Sequence, residues 1–291
     1  MSLPHNLMPE PGESQPEAPQ STSAVFRPIE PGWVTPLEPA ISPSAEARFP
    51  SWSLWDVLAV LAFTVFAVFG FSVIALFIAR SLPEYRHASM SELATNALIV
   101  VGAQAAAYPI VLLFIFLIVR SRSREQFRKA LHWNWPGISA PAFFVLGITT
   151  ALVIEGLSRF LPIPKSLPMD KYFHDAGSAY LMAMFGMTLA PLLEELFFRG
   201  LLYPLLQRAF GLVIAVVLTA AAFAGIHGTQ LGYAWAPILS IFVVGVVFTV
   251  ARVRTNSVAA SFLMHCGYNF ALFGALWLAS DHYRHLEKVT G

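Results

Sequence analysis

The sequence predicts an all-α, polytopic membrane bundle of seven or eight transmembrane helices behind a disordered, proline-rich N-terminal tail. Three observations carry this reading. Of 291 residues, 56% are hydrophobic and only 12% charged, whereas soluble domains carry about 25% charged residues. The hydrophobic residues fall in blocks close to the ~20 residues that a bilayer core asks of one helix. Residues 1–50 are different in kind: they hold eleven of the 21 prolines, six glutamates and few large apolar residues. Such a segment cannot bury enough surface to offset its chain entropy, and it lacks the basic start and apolar stretch of a signal peptide.

From Ser51 onward the blocks read as spans at about 54–79, 93–119 and 139–157, then 212–226, 236–251 and 258–280. Between the third and fourth lies an apolar run from about 178 to 208. Its ~31 residues would reach roughly 46 Å as one helix, longer than a ~30 Å hydrocarbon core. It must tilt strongly or break, and Pro191 is the expected break point. The chain divides into the tail (1–50), N-terminal transmembrane helices (51–137) and a second membrane domain (138–285). Arg120, Arg122, Arg124, Arg128 and Lys129 crowd one short connection, which the positive-inside rule assigns to the cytoplasm. The N-terminus, two crossings earlier, is then cytoplasmic too, and Arg252 and Arg254 mark a second cytoplasmic connection.

Composition also excludes several functions. A net charge of +1 supplies no basic field for nucleic acid. A single cysteine, Cys266, permits no intramolecular disulfide and no cysteine-based zinc cluster. No nucleotide-binding glycine loop and no repeat of 20–50 residues is present. The expected partners are membrane lipid and a protein or peptide substrate.

Ionisable residues inside membrane helices are costly and mark functional positions. Asp56, Glu155 with Arg159, and Asp281 with His282 lie near span ends and read as interfacial anchors or local pairs. Asn96 and Gln104 read as hydrogen bonds between helices. Three deeper groups differ. The first is Glu194-Glu195 with Arg199 four residues on, inside MTLAPLLEELFFRGLLYPLL. Glu195 and Arg199 are i,i+4 neighbours and can pair, while Glu194 is turned ~100° away and is free to face a cavity. The second is Phe223 with His227, at the end of a helix rich in small residues. The third is His265 with Asn269, one turn apart on one helix face.

A glutamate and a histidine can deprotonate a water, and a second histidine with an asparagine can stabilise an oxyanion. This set suits amide hydrolysis without a covalent intermediate. A nucleophilic route lacks support: Cys266 points ~100° from His265 on a helix, and no GxSxG elbow exists. Zinc is the rival, with Glu194, His227 and His265 as admissible ligands, although no HExxH motif is present. A proton relay in a transporter would use the same residue types, but matched inverted repeats are missing.

The ordered trio EExxxR, FxxxH and HxxxN across hydrophobic helices resembles the CPBP family, which includes the CAAX prenyl endopeptidases of Ras-converting type. The resemblance covers roughly residues 140–280. It implies an intramembrane endopeptidase of the glutamate type, once regarded as a metalloprotease, with no required cofactor and with zinc left open. In it, Glu194 and His227 would activate water and His265 and Asn269 would bind the oxyanion. Glu195 and Arg199 would support the site, and Phe223 would shape the pocket. It also implies a conical cavity open to the cytosol. Eukaryotic members remove the last three residues of prenylated CaaX proteins. Bacterial members are linked to pheromone processing, bacteriocin self-immunity or membrane adaptor roles, so a non-catalytic adaptor or immunity protein is the alternative. A bacterial inner membrane is the expected location.

Overall fold

A computed structural model describes residues 50–288, and apart from Pro50 the expected disordered tail lies outside the described residues. Among the described residues, seven apolar helical segments make up the bundle. They are α1 (Leu54–Ser81), α2 (Ala97–Arg122), α3 (Ala140–Ser158), a broken run, α7 (Leu212–Ile226), α8 (Trp235–Thr255) and α9 (Val258–Ala279). The run comprises α4 (Ala176–Met187), α5 (Leu189–Glu195), a π-helix (Leu196–Leu202) and α6 (Tyr203–Phe210). Six of the seven are long and apolar enough to span a membrane, and α7 is a shorter apolar helix. This multi-pass bundle agrees with the predicted fold class. Large apolar side chains such as Phe66, Phe77 and Leu152 face outward, as lipid-facing surfaces require.

The expected break at Pro191 falls instead at Thr188, whose φ of −130° and ψ of −77° interrupt the helix. The cause is still Pro191: it has no N–H for the Met187 carbonyl and its ring crowds that group, so the distortion appears one turn upstream. The π-helix that follows was not foreseen. In it the Tyr203 amide reaches back five residues to the Phe198 carbonyl, the wide register often found at functional sites.

The polar residues assigned to interhelical bonds behave otherwise. Asn96 caps α2, accepting from the Ile99 amide at 3.2 Å. Gln104 accepts from the Tyr108 hydroxyl of its own helix at 3.3 Å. A short polar side chain satisfied within its helix needs no partner elsewhere, and sequence alone does not reveal which choice is made. Asp56 is the residue that joins two helices, accepting from Arg122 of α2 at 2.9 Å while completing the capping box of α1 with Ser53.

Two glycines set the closest approach in the bundle. A Cβ on Gly147 of α3 would collide with the Met264 carbonyl of α9, and one on Gly267 would collide with the Phe144 carbonyl of α3. Backbone thus packs on backbone at this crossing, the arrangement that small residues permit in membranes. Because His265 lies between Met264 and Gly267, the crossing also fixes the helix that carries it.

One end of the bundle is cross-tied. Besides Asp56 with Arg122, Trp52 Nε1 donates to the Leu201 carbonyl at 3.1 Å and Arg208 donates to the Pro50 carbonyl at 3.3 Å. The Val258 amide donates to the His132 carbonyl at 3.0 Å, and Asn134 Nδ2 donates to the Asn256 carbonyl at 2.9 Å. This end carries the basic cluster of residues 120–129 and Arg252 and Arg254. At the other end the connection before α4 meets the one after α7, where the Met169 amide donates to the Gln230 carbonyl at 3.1 Å.

Candidate active site

The three motif helices converge on one cavity of about 610 Å³, whose walls include Glu194, Phe223, His227, His265 and Asn269. Glu194 stands at the end of α5 with its side chain 21% exposed, and Glu195 beside it is fully buried. The two carboxylates differ as the helical period requires: one faces the cavity and the other turns into the protein.

Glu195 Oε1 accepts from Arg199 Nη1 at 2.8 Å and from His265 Nδ1 at 3.0 Å. A carboxylate can only accept, so Nδ1 of His265 carries the proton. Arg199 is also fully buried, and its second arm donates to the Gly245 carbonyl of α8 at 3.1 Å. Its guanidinium lies 4.5 Å from the centre of the Phe223 ring, a favourable cation–π placement. Among the described residues no hydrogen-bond partner lies within range of Glu195 Oε2 or Arg199 Nε. Removing either member of so deeply buried a pair would leave a bare charge, at a cost of about 3–5 kcal/mol.

The far nitrogen of His265, Nε2, lies 3.8 Å from Glu194 Oε2. His265 therefore bridges the two glutamates, one on each ring nitrogen. His227 caps the end of α7, and its Nδ1 is 2.8 Å from the Phe223 carbonyl. A carbonyl accepts, so Nδ1–H donates and Nε2 keeps its lone pair. Phe223 is wedged between the histidines, 4.9 Å from the His227 ring and 5.7 Å edge-on to the His265 ring. Asn269 Nδ2 donates to the Gly186 carbonyl, next to the break in the α4–α5 run, at 2.6 Å. One of its two N–H groups is so engaged, and the other is available to a ligand.

The zinc alternative required Glu194, His227 and His265 as a ligand set. Among the described residues no three His, Cys, Asp or Glu side chains are arranged to hold a metal ion. The bonds made by Nδ1 leave Nε2 of each histidine as the nitrogen that a water or a metal ion would meet.

Several cavity residues escaped the motif reading. Gln104 and Tyr108 of α2 and Leu61 and Thr64 of α1 line the cavity, as do Met169, Asp170 and Gln230 from the connections at the untied end. The Gln104–Tyr108 pair is legible as two polar groups one turn apart on an apolar helix. Asp170 carries no such signal, lying in a short helical turn, Pro168–Tyr172, where its carboxylate accepts from the Leu167 amide at 2.7 Å.

The cavity lining thus reaches the connections at the untied end and includes none of the basic residues of the tied end.

Residues 176–271 match a family described as type II CAAX prenyl endopeptidase, Rce1-like. The match begins at the first residue of α4 and ends within α9, enclosing all three motifs. The match supports, over this part of the chain, the resemblance to the CPBP family. No curated protein and no solved structure matches the chain.

Proposed function

We propose that this chain is an intramembrane endopeptidase of the glutamate type, which hydrolyses a peptide bond of a membrane-associated protein by direct attack of water. The observation that supports it is the meeting of Glu194, His227, His265 and Asn269 on one cavity wall, with Glu195 and Arg199 buried behind them. Glu194 and Nε2 of His227 both offer a lone pair to a water between them, and that water loses a proton as its oxygen attacks the carbonyl carbon. The resulting oxyanion takes hydrogen bonds from the free N–H of Asn269 and from Nε2–H of His265. To donate there and to Glu195 as well, His265 must carry protons on both nitrogens. When the C–N bond breaks, the proton held by Glu194 passes to the leaving amine.

The five cations of residues 120–129 support a cytoplasmic tied end and N-terminus, in a bacterial cell membrane.

The test compares wild type with Glu194→Gln at matched levels in membranes, by mass spectrometry of all protein N- and C-termini. Glutamine cannot take the proton, so termini present only with wild type are expected, with turnover falling about 10²–10⁴-fold. Identical termini from two folded proteins would instead favour the adaptor or immunity role.

A further inference from the structure

The tied end carries positive charge that the described residues do not balance. Its carboxylates among those residues are Asp56, which Arg122 and Ser53 occupy, and the exposed Glu125. The side chains of Arg124, Arg128, Lys129 and Arg254 make no hydrogen bond or ion pair among the described residues. Cations in water need no partner, and such a cluster follows from the positive-inside rule alone. Arg252 is a different case.

Arg252, in the last turn of α8, is 3% exposed. Its Nη1 donates to Asn256 Oδ1 at 2.9 Å, and its guanidinium lies 5.8 Å from the centre of the Tyr203 ring. The opposite edge, Nε with Nη2, donates to nothing among the described residues. Arg122 uses that same edge to close on Asp56 Oδ1, with Nε at 3.1 Å and Nη2 at 2.9 Å. In Arg252 the fork is buried without an anion. A buried charge left unpaired is costly, and the guanidinium fork matches phosphate as well as carboxylate.

The surroundings of Arg252 are held in place. Asn256 has a φ of 49°, its carbonyl accepts from Asn134 Nδ2 at 2.9 Å, and Ser257 Oγ donates to the Asn134 carbonyl. These bonds clamp the turn between α8 and α9 to the connection that carries the basic cluster, and His132 of that connection lies near the Arg252 guanidinium. Asn256 is exposed and His132 half-buried, so Arg252 sits one side chain below the surface. Arg254 follows two residues on, and Arg128 and Lys129 stand in the helical turn before His132. Trp55 and Trp135 are exposed at the same end, as tryptophans at a membrane–water boundary are.

We propose that the tied end binds the phosphate of an anionic phospholipid between the His132 connection and the turn after α8. The free edge of Arg252 is the fixed counter-charge, and Arg128, Lys129 and Arg254 close over the phosphate from outside. A lipid headgroup is the ligand because the exposed tryptophans set this end at the depth where lipid phosphates stand. The inference is independent of the endopeptidase reading.

The test places full-length protein in nanodiscs of equal phosphatidylglycerol and phosphatidylcholine and reads the lipids that stay bound by native mass spectrometry. We expect wild type to retain phosphatidylglycerol over phosphatidylcholine by about tenfold. Arg252→Gln should cut that preference about threefold or more. Arg124→Gln, which removes one positive charge from the surface of the same end, should leave it almost unchanged. No preference in wild type would overturn the site. Equal losses from the two variants would do so too, because they would mean a diffuse basic field. If Arg252→Gln does not fold, Arg252→Lys, which keeps the charge and loses the fork, replaces it with the same expected fall. Inorganic phosphate supplies the last arm. Phosphate that displaces phosphatidylglycerol from wild type would make the ligand a free anion and overturn the headgroup assignment.

Discussion

The two ends of the bundle are built for different tasks. At the tied end, Asp56 with Arg122, Trp52 with the Leu201 carbonyl, and Asn134 with the Asn256 carbonyl join helices far apart in sequence. At the untied end the connections reach into the cavity lining, and the link between them is made by backbone, Met169 to Gln230. A helical bundle around a polar site needs one end that holds the helices in register and another that admits the ligand. Most side-chain ties between distant segments sit at the end that no cavity residue occupies, and the other end has Trp277 Nε1 donating to the Tyr180 hydroxyl at 3.1 Å.

The largest effect that could break this contrast is topological. Single cysteines at Lys165 (untied end) and Arg124 (tied end), in a Cys266→Ala background, can be probed on intact cells with a membrane-impermeant thiol reagent. With the basic end cytoplasmic, Lys165→Cys labels at once and Arg124→Cys only after permeabilisation. The reverse pattern would put the cavity on the cytosolic side and overturn the orientation proposed above.

The second prediction sharpens the contrast through packing. Gly267→Ala places a methyl group against the Phe144 carbonyl, which as backbone cannot rotate away. A loss of about 3 kcal/mol is expected, at the upper end for overpacked sites, visible as a lower yield of folded protein and a lower Tm. An unchanged Tm would show that α3 and α9 are not held backbone to backbone.

The smallest effect belongs to the tied end. His132 lies in the connection after α2 with φ of 54°, and burial together with the nearby Arg252 guanidinium pushes its pKa below the usual histidine range. A depressed folded pKa means that the unfolded chain takes up the proton first. Its contribution is therefore complete above the unfolded value of about 6.5 and is lost as pH falls through the folded one. His132→Asn keeps a residue that tolerates positive φ and should flatten the fall in Tm below about pH 6.5. An equal fall in both proteins would refute this.

The sequence foretold the spans because hydrophobic blocks of helix length leave few alternatives in a bilayer. The spacing of Glu194 and Glu195 likewise implied one free and one held carboxylate, since adjacent residues on a helix face different ways. Other features depended on what lay across the fold. Nothing local says that Gln104 bonds within its helix, that α1 and α2 complete the cavity wall, or that Asp170 lines it from a loop. Pro191 announced a break, but the helix yielded at Thr188 because proline disturbs the preceding turn. The π-helix had no signature in the residue types of Leu196–Leu202.

The brevity of α7 has a consequence for any substrate. Its 15 residues rise ~22 Å against a ~30 Å core, so His227 at its end stands below the membrane surface, by ~8 Å if α7 begins at the opposite boundary. A substrate reaching this depth as a helix arrives with its carbonyls already bonded along the chain. Water can attack only a carbonyl released from that ladder. The scissile segment must therefore unwind inside the bilayer, and glycine or proline beside the bond would decide which of two equally apolar helices is cut.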